Sequence, residues 1–243
     1  MKIIKLNAID STNTYLKNLS KEIELEDEVV VWAKDQQIGR GQREASWQSK
    51  PGESLTFSVF KQIDRLPAEH QFLMVMLTSL ALKDALNNLS IPKIAVKWPN
   101  DILSRSKKLC GILIENTIQK NVITSCISGI GLNVNEIEFS NLPQATSMRL
   151  SSDTVFNVTE VFNEVVKVLL KRLNNHGSVN FQNIKKEYEA SLFKKDVVSV
   201  FERPSGIRFN GVIKGVMDSG VLLIENEQEV IEQFQLKEIK MLY

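Results

Sequence analysis

The chain has 243 residues, 43% hydrophobic and 24% charged, and its 30 Lys and Arg against 29 Asp and Glu leave a formal net charge of +1. That balance excludes a strongly basic nucleic-acid scaffold, an acidic solvating tail and a disordered chain; the length allows a large domain with a small one behind it. Two cysteines, Cys110 and Cys126, and two histidines, His70 and His176, exclude a disulfide framework, a cysteine-rich zinc site and a multi-histidine metal cage, and the cysteines suit a reducing, cytoplasmic setting.

Residues 1–8 read as a short strand, in which Lys5 and Asn7 interrupt any signal-peptide-like apolar run. Asp10 or Ser11 offers an N-cap to a helix with Tyr15, Leu16 and Leu19 on one side. Residues 28–33 are β-branched and apolar, as a buried strand requires. Residues 34–53 are polar, contain glycine and show no period; so long a stretch inside a compact domain predicts a binding loop or lid. A strand is expected over 55–60 and a buried helix over 69–88, whose most apolar run is too short to cross a bilayer. Residues 94–98 form a strand halted by Pro99, which lacks the N–H a ladder needs. Residues 109–118 and 122–134 read as two long strands joined by a short turn. In the second, Ile130, Leu132 and Val134 take one face and Gly129, Gly131, Asn133 and Asn135 the other, so bare backbone and amides face whatever lies above. Residues 135–148 are again irregular, and 159–173 and 180–192 are amphipathic helices. Beyond Lys195, short strands alternate with turns at Arg203-Pro204-Ser205-Gly206, Asp218-Ser219-Gly220 and Glu225-Asn226-Glu227, which predicts a small SH3-like β-barrel. The class is α+β, with a unit over 1–194 and a second over 195–243.

Four segments carry side chains suited to chemistry. Gly39-Arg40-Gly41-Gln42-Arg43 with Trp47 combines close backbone approach, bidentate guanidinium donors and a planar ring; viewed alone it also fits a solvated surface turn. In Lys97-Trp98-Pro99-Asn100-Asp101, alternation puts Lys97 opposite Trp98, so the lysine faces a ligand while the indole packs, and Asp101 offers oxygen to Mg²⁺. An Asn-Asp turn at a sheet edge is the plainer reading. Lys107-Lys108-Leu109-Cys110-Gly111-Ile112-Leu113-Ile114-Glu115 places a lysine where a buried strand begins, and Cys110 reads as a packing residue because neither histidine lies in these segments. Ser11-Thr12-Asn13 at a helix N-terminus suits a carboxylate or amide, or simple capping. His70 and His176 read as surface residues.

Taken in order, these segments resemble the biotin–protein ligases. The likeness runs through Ser11-Thr12-Asn13, Asp35-Gln36-Gln37-Ile38-Gly39-Arg40-Gly41, Trp47, the Lys-Trp-Pro-Asn-Asp segment, Lys108 to Glu115, Gly129-Ile130-Gly131-Leu132-Asn133 and Ala145-Thr146-Ser147, and continues into the C-terminal strands. It implies a catalytic fold related to class II aminoacyl-tRNA synthetases, with a mixed, largely antiparallel sheet and an SH3-like unit behind it. It implies a two-step ligase: biotin and MgATP give biotinyl-5′-AMP and pyrophosphate, and a lysine of a biotin carboxyl carrier protein then takes the biotinyl group. By the same matching the catalytic set is Arg40, Lys97, Asp101 and Lys108, with Asp101 organising Mg²⁺ or orienting the incoming amine. Biotin contacts fall on Ser11, Thr12, Asn13, Gln36, Arg40, Gly41, Gln42, Lys108, Gly111, Gly129 and Gly131. ATP contacts fall on Arg40, Arg43, Trp47, Lys97, Asn100, Lys108, Asn133 and Thr146.

Two departures stand out. The basic loop of such ligases often reads Gly-Arg-Gly-Arg-x-Gly-Arg-x-Trp, whereas Gln42, Glu44 and Ala45 here remove two positive charges and add one negative. Only ten residues precede Ser11, where regulatory relatives carry a DNA-binding winged helix, so no nucleic-acid partner is expected, nor a membrane one. A monomer or homodimer suits the sequence equally. The competing readings are a lipoate–protein ligase on the same scaffold and a non-catalytic biotin sensor.

Overall fold

The computed structural model describes all residues except Glu26, Arg43, Glu44 and Asn141. Strand β1 (Lys2–Ile9) leads into helix α1 (Thr12–Glu22), then β2 (Val29–Gln36), the short hairpin of β3 (Gly39–Arg40) and β4 (Ser46–Trp47), and the long β5 (Ser54–Pro67). Helix α2 (Phe72–Asn88) follows, then β6 (Ile94–Lys97), β7 (Asp101–Ser104), β8 (Lys107–Gln119) and β9 (Val122–Asn133). Helices α3 (Met148–Ser152), α4 (Val158–Asn174) and α5 (Phe181–Ala190) complete the first part. Strands β10 (Val198–Glu202), β11 (Arg208–Val216), β12 (Leu222–Asn226), β13 (Ile231–Phe234) and β14 (Lys240–Leu242) form the second.

Seven strands make the main sheet in the order β1-β2-β5-β9-β8-β7-β6. β1 runs parallel to β2 and every other neighbouring pair is antiparallel, as the expected mixed sheet requires. Side-chain alternation divides the sheet into two unlike faces. One carries Val30, Leu55, Phe57, Val59, Ile112, Ile130 and Leu132, packed under α2 and α4 in one large apolar cluster. α2 packs against α4, α5 and strands β6, β7 and β8, which is why it is apolar nearly all round. α4 places Phe162 against Trp32, with ring centroids 4.5 Å apart, and edge-on to Phe57 at 5.5 Å. The other face is apolar only under α1, where Leu16 packs with Val29, Val31, Phe60 and Ile127. Further along, that same face becomes glycine, serine and threonine, and there the floor of a cleft is left open.

The second sheet has the order β13-β12-β11-β10-β14, a four-stranded meander whose last strand returns beside its first. Among the described residues its terminal strands are not paired with each other, so the expected SH3-like unit is an open, bulged sheet rather than a hydrogen-bonded closed barrel. Its Phe201, Ile213, Leu222, Ile224 and Phe234 belong to the same apolar cluster as α2. Polar ties reinforce the join: Trp98 Nε1 donates to the Gly220 carbonyl at 2.8 Å, Val216 N–H donates to the Glu189 carboxylate at 2.9 Å, and Lys185 pairs with Asp218 at 2.7 Å.

β5 extends seven residues past its predicted end, because 61–67 keep pairing with β9 through a bulge despite their polar composition. β7 and α3 occupy stretches in which no element was expected; Ser147 caps α3 by accepting from Leu150 N–H. Both histidines are half-buried rather than simple surface groups, His70 stacking on Phe181 at 4.6 Å. No helix among the described residues is long and apolar enough to cross a membrane.

Candidate functional site

A cleft of ≈ 230 Å³ opens on the polar face of the main sheet. Its floor is built by register: Gly111 of β8 lies opposite Gly131 of β9, and Gly129 lies opposite Ser58 of β5 and Leu113 of β8. The N-terminus of α1 forms one wall, β3 and β4 a second, and the turn between β6 and β7 a third. Leu236 and Lys237, between β13 and β14, reach in from the second sheet.

Ser11, Thr12 and Asn13 are each 3% exposed, and their contacts give each a distinct task. Ser11 Oγ caps the helix by accepting from Thr14 N–H at 3.5 Å. Thr12 donates both its backbone N–H and its hydroxyl to Gln36 Oε1, at 3.0 and 3.1 Å, so Gln36 satisfies a helix N–H that would otherwise lack a partner. Asn13 donates its amide to Glu115 Oε2 at 3.0 Å and to the Leu113 carbonyl at 3.3 Å. Ser58 Oγ lies 2.7 Å from Thr12 Oγ1 and 2.6 Å from Asn13 Oδ1, and its single proton serves one of them at a time. The ordinary capping role and a ligand-facing role therefore coexist in one triplet.

The charged groups gather at the other end. Lys108 Nζ pairs with Asp101 Oδ1 at 2.8 Å, and Asn100 beside it is fixed by donating to the Ile112 carbonyl at 2.6 Å. Arg40 donates to Thr14 Oγ1 at 3.2 Å and pairs with Glu115 at 3.5 Å. Burial alone would raise the Glu115 carboxyl, but the contacts to Asn13, Lys17 and Arg40 outweigh it and hold it below its ordinary value. Asp101 is the sole carboxylate among the described residues lining the cleft.

The Trp47 indole lies flat on the glycine step. A Cβ at Gly131 would stand 2.3 Å from Trp47 Cε2, and one at Gly111 2.9 Å from Cζ3. Gly129 likewise makes room for the Asn13 carboxamide, 2.1 Å from where its Cβ would be. These glycines thus admit the protein's own Trp47 and Asn13 against the sheet. Lys108 Nζ lies 5.6 Å from the indole centroid, and the indole N–H is buried without a partner among the described residues.

The structure brings together Ser11, Thr12, Asn13, Gln36, Arg40, Gly41, Gln42, Trp47, Asn100, Asp101, Lys108, Gly111, Gly129 and Gly131 around this one cleft. Three expected residues stand apart. Asn133 donates to the Thr146 carbonyl at 2.9 Å and both are buried, so each holds the other rather than facing the cleft. Lys97 lines a neighbouring cavity of ≈ 490 Å³ between the two sheets, which shares Asn100, Asp101, Leu236 and Lys237 with the first. Desolvation pulls the Lys97 ammonium below its ordinary value, with Asp101 opposing and Lys108 and Lys240 adding to the fall; its Nζ sits 5.2 Å from the Tyr243 ring centroid. Arg43 lies outside the described residues. Cys110 and Cys126 are buried free thiols, and burial raises both, Cys126 to about 12, so neither supplies a thiolate at neutral pH.

Residues 6–133, which hold the α1 terminus, the Arg40 loop, the Asp101–Lys108 pair and the glycine floor, match the biotin/lipoate A/B protein ligase family. The chain belongs to that family. Within it, the bifunctional ligase/repressor BirA of Bacillus spizizenii is 28% identical over 233 residues, 94% of this chain and 70% of that protein. The biotin–[acetyl-CoA-carboxylase] ligase of Mycobacterium tuberculosis is 29% identical over 203 residues, 82% of this chain and 74% of that protein. Among solved structures, the biotin protein ligase of Aquifex aeolicus in complex with biotin and ATP superposes with a TM-score of 0.77 at 25% identity, covering 99% of this chain and 98% of that one. That superposition spans both sheets, so the second sheet is part of the shared architecture of this biotin/lipoate ligase-family protein.

Leu236 and Lys237 line the cleft, and Thr14, Ser58 and Glu115 bond residues that line it; sequence reasoning assigned none of the five a site role. Thr56 and Ser58 carried a usable signal, a polar alternation inside the otherwise apolar strand 55–60. Leu236 and Lys237 carried none.

Proposed function

We propose that this protein is a biotin–protein ligase that joins biotin to AMP and then passes the biotinyl group to a lysine of a biotin carboxyl carrier protein. The observation that carries the reading is the convergence of Arg40 and the Asp101–Lys108 pair on a cleft walled by Ser11, Thr12, Asn13 and Gln36. In the first step a carboxylate oxygen of biotin attacks the α-phosphorus of ATP, the bond to the bridging oxygen breaks, and pyrophosphate departs. The nucleophile belongs to the substrate, which agrees with two thiols kept protonated by burial. The obstacle is the approach of an anion to a polyanion, and fixed positive charge lowers it. Lys108 is aimed by its ion pair, and Arg40, with five N–H donors, has several left after its contacts to Thr14 and Glu115. In the second step the carrier amine attacks the acyl carbon, AMP leaves, and the free oxygen of Asp101 accepts an N–H of the incoming amine.

No group of three or more His, Cys, Asp or Glu side chains gathers among the described residues. Asp101, with Asn100 beside it, fits a Mg²⁺ carried mainly by ATP phosphates and water, the usual arrangement for this ion. Bound there, the ion neutralises phosphate charge.

The test is incubation with biotin, MgATP and a carrier domain, reading the carrier's mass. One added biotinyl group, absent when biotin is replaced by lipoate, is the expected result. A lipoyl adduct instead would move the protein to the lipoate branch of its family, and no adduct at all would refute the ligase reading.

A further inference from the structure

Glu115 has been given no role, yet it touches two residues of the candidate site at once. We propose that Glu115 is a positioning residue for adenylate formation, holding the Arg40 guanidinium and the Asn13 carboxamide at the places from which they meet the acid and the nucleotide; this rests on the ligase reading above.

The placement follows from strand periodicity. Gly111, Leu113 and Glu115 alternate onto one face of β8, the first two lining the cleft and the third standing where α1 crosses the sheet. Three groups from two elements converge on its carboxylate: Asn13 Nδ2 at 3.0 Å, Lys17 Nζ at 3.2 Å and Arg40 Nη2 at 3.5 Å. Asn13 and Lys17 are four residues apart on α1, so they share a helix face and reach the same acceptor.

Each contact constrains something different. Asn13 is buried, and its amide donates to Glu115 and the Leu113 carbonyl while its oxygen meets Ser58. Without an acceptor at Glu115 one buried N–H loses its partner, and the amide is held only by the Leu113 carbonyl and Ser58. Arg40 is the more exposed partner, its side chain 44% accessible, and its recorded contacts are Glu115 and Thr14. A guanidinium on a short hairpin is otherwise free to swing, and the near-fixed carboxylate of a long strand removes that freedom. The Lys17 side chain bonds Glu115 and Lys17 does not line the cleft, so it serves as an internal control.

The experiment measures release of biotinyl-AMP from the isolated complex, and the KM for ATP, in full-length wild type, Glu115→Gln, Arg40→Ala, the double variant and Lys17→Ala. Glu115→Gln is expected to release the adenylate about tenfold faster and to raise the KM for ATP, the loss of one oriented charged contact. In the Arg40→Ala background the same change is expected to add less than about twofold, because its effect runs through Arg40. Lys17→Ala is expected to stay within about twofold of wild type. If Glu115→Gln fails to fold, Glu115→Asp is read in its place; it keeps the charge but withdraws it by one methylene, so faster release supports the proposal. Release at the wild-type rate, or an effect undiminished in the Arg40→Ala background, overturns it. A wild type that forms no adenylate sinks the ligase reading and this inference together, whereas an active wild type with an unchanged Glu115 variant sinks this inference alone.

Discussion

Lys108 and Asp101 form the ion pair on which the proposed chemistry turns, and their separation of 2.8 Å fixes the ammonium without burying it. Replacing Lys108 by Ala removes the charge aimed at the reacting phosphate while leaving the strand intact. Biotin-dependent pyrophosphate release is expected to fall about 10²–10³-fold, the usual loss when one oriented transition-state donor is removed. The two floor glycines predict separable defects. Gly129→Ala would drive a methyl group into Asn13, and Gly131→Ala into the Trp47 indole. The first is expected to raise the KM for biotin and the second the KM for ATP, as steady-state kinetics would show; equal effects on both substrates would contradict this division of the cleft. At this scale much was legible. Arg40, Asp101 and Lys108 sit in segments whose side chains had little structural reason to occur together. The mutual bond of Asn133 and Thr146 was not legible, because a buried amide that bonds a neighbouring carbonyl looks the same in sequence as one that awaits a nucleotide.

Among the elements, α4 secures the sheet that carries the site. Phe162 is 1% exposed and wedged between Trp32 and Phe57, so Phe162→Ala is expected to cost about 3–5 kcal/mol in denaturant unfolding. Arg172 of α4 joins Asp84 of α2 at 2.5 Å and Glu187 of α5 at 2.6 Å, tying the three helices together. The Arg172 hydrogen bond holds the Glu187 carboxyl below its ordinary 4.5, and Glu115 is lowered as well, where the pull of its partners exceeds desolvation. Groups whose folded pKa lies below the unfolded one stabilise fully above the unfolded value and lose that contribution as pH falls through the folded one. The melting temperature is therefore expected to lose their share only once pH drops under 4.5, and Arg172→Met is expected to blunt that decline. A decline of equal steepness in the variant would show that the clamp contributes nothing. Most strands and helices were readable because α2 and β2 are near-continuous apolar runs and apolar periodicity is strong in α4 and the end of β9. The second half of β5 was hidden, since its pairing with β9 depends on a partner strand and a bulge that 61–67 do not announce. Likewise β7 is only four residues long and follows a turn.

In the whole molecule, the two sheets act as one body around a shared apolar cluster, and the cleft takes a wall from each. Lys237 arrives from the second sheet, more than a hundred residues after Lys108, so no local pattern reveals that both serve one cavity. Lys237→Ala is expected to raise the KM for ATP severalfold with little change in that for biotin, because it borders the cleft together with Asn100 and Asp101. The short strands of the second sheet were visible in turn spacing, but the openness of the sheet was not, since closure depends on strand ends that sequence does not place. The central claim is that fixed cations in this cleft let the carboxylate of biotin attack ATP. Its most direct measurement is a single turnover of purified protein with biotin and ATP labelled at the α-phosphate, followed by chromatography of the bound nucleotide. The account predicts stoichiometric biotinyl-AMP in wild type and almost none in folded Lys108→Ala. Equal yields in the two proteins, or none in wild type, would contradict it.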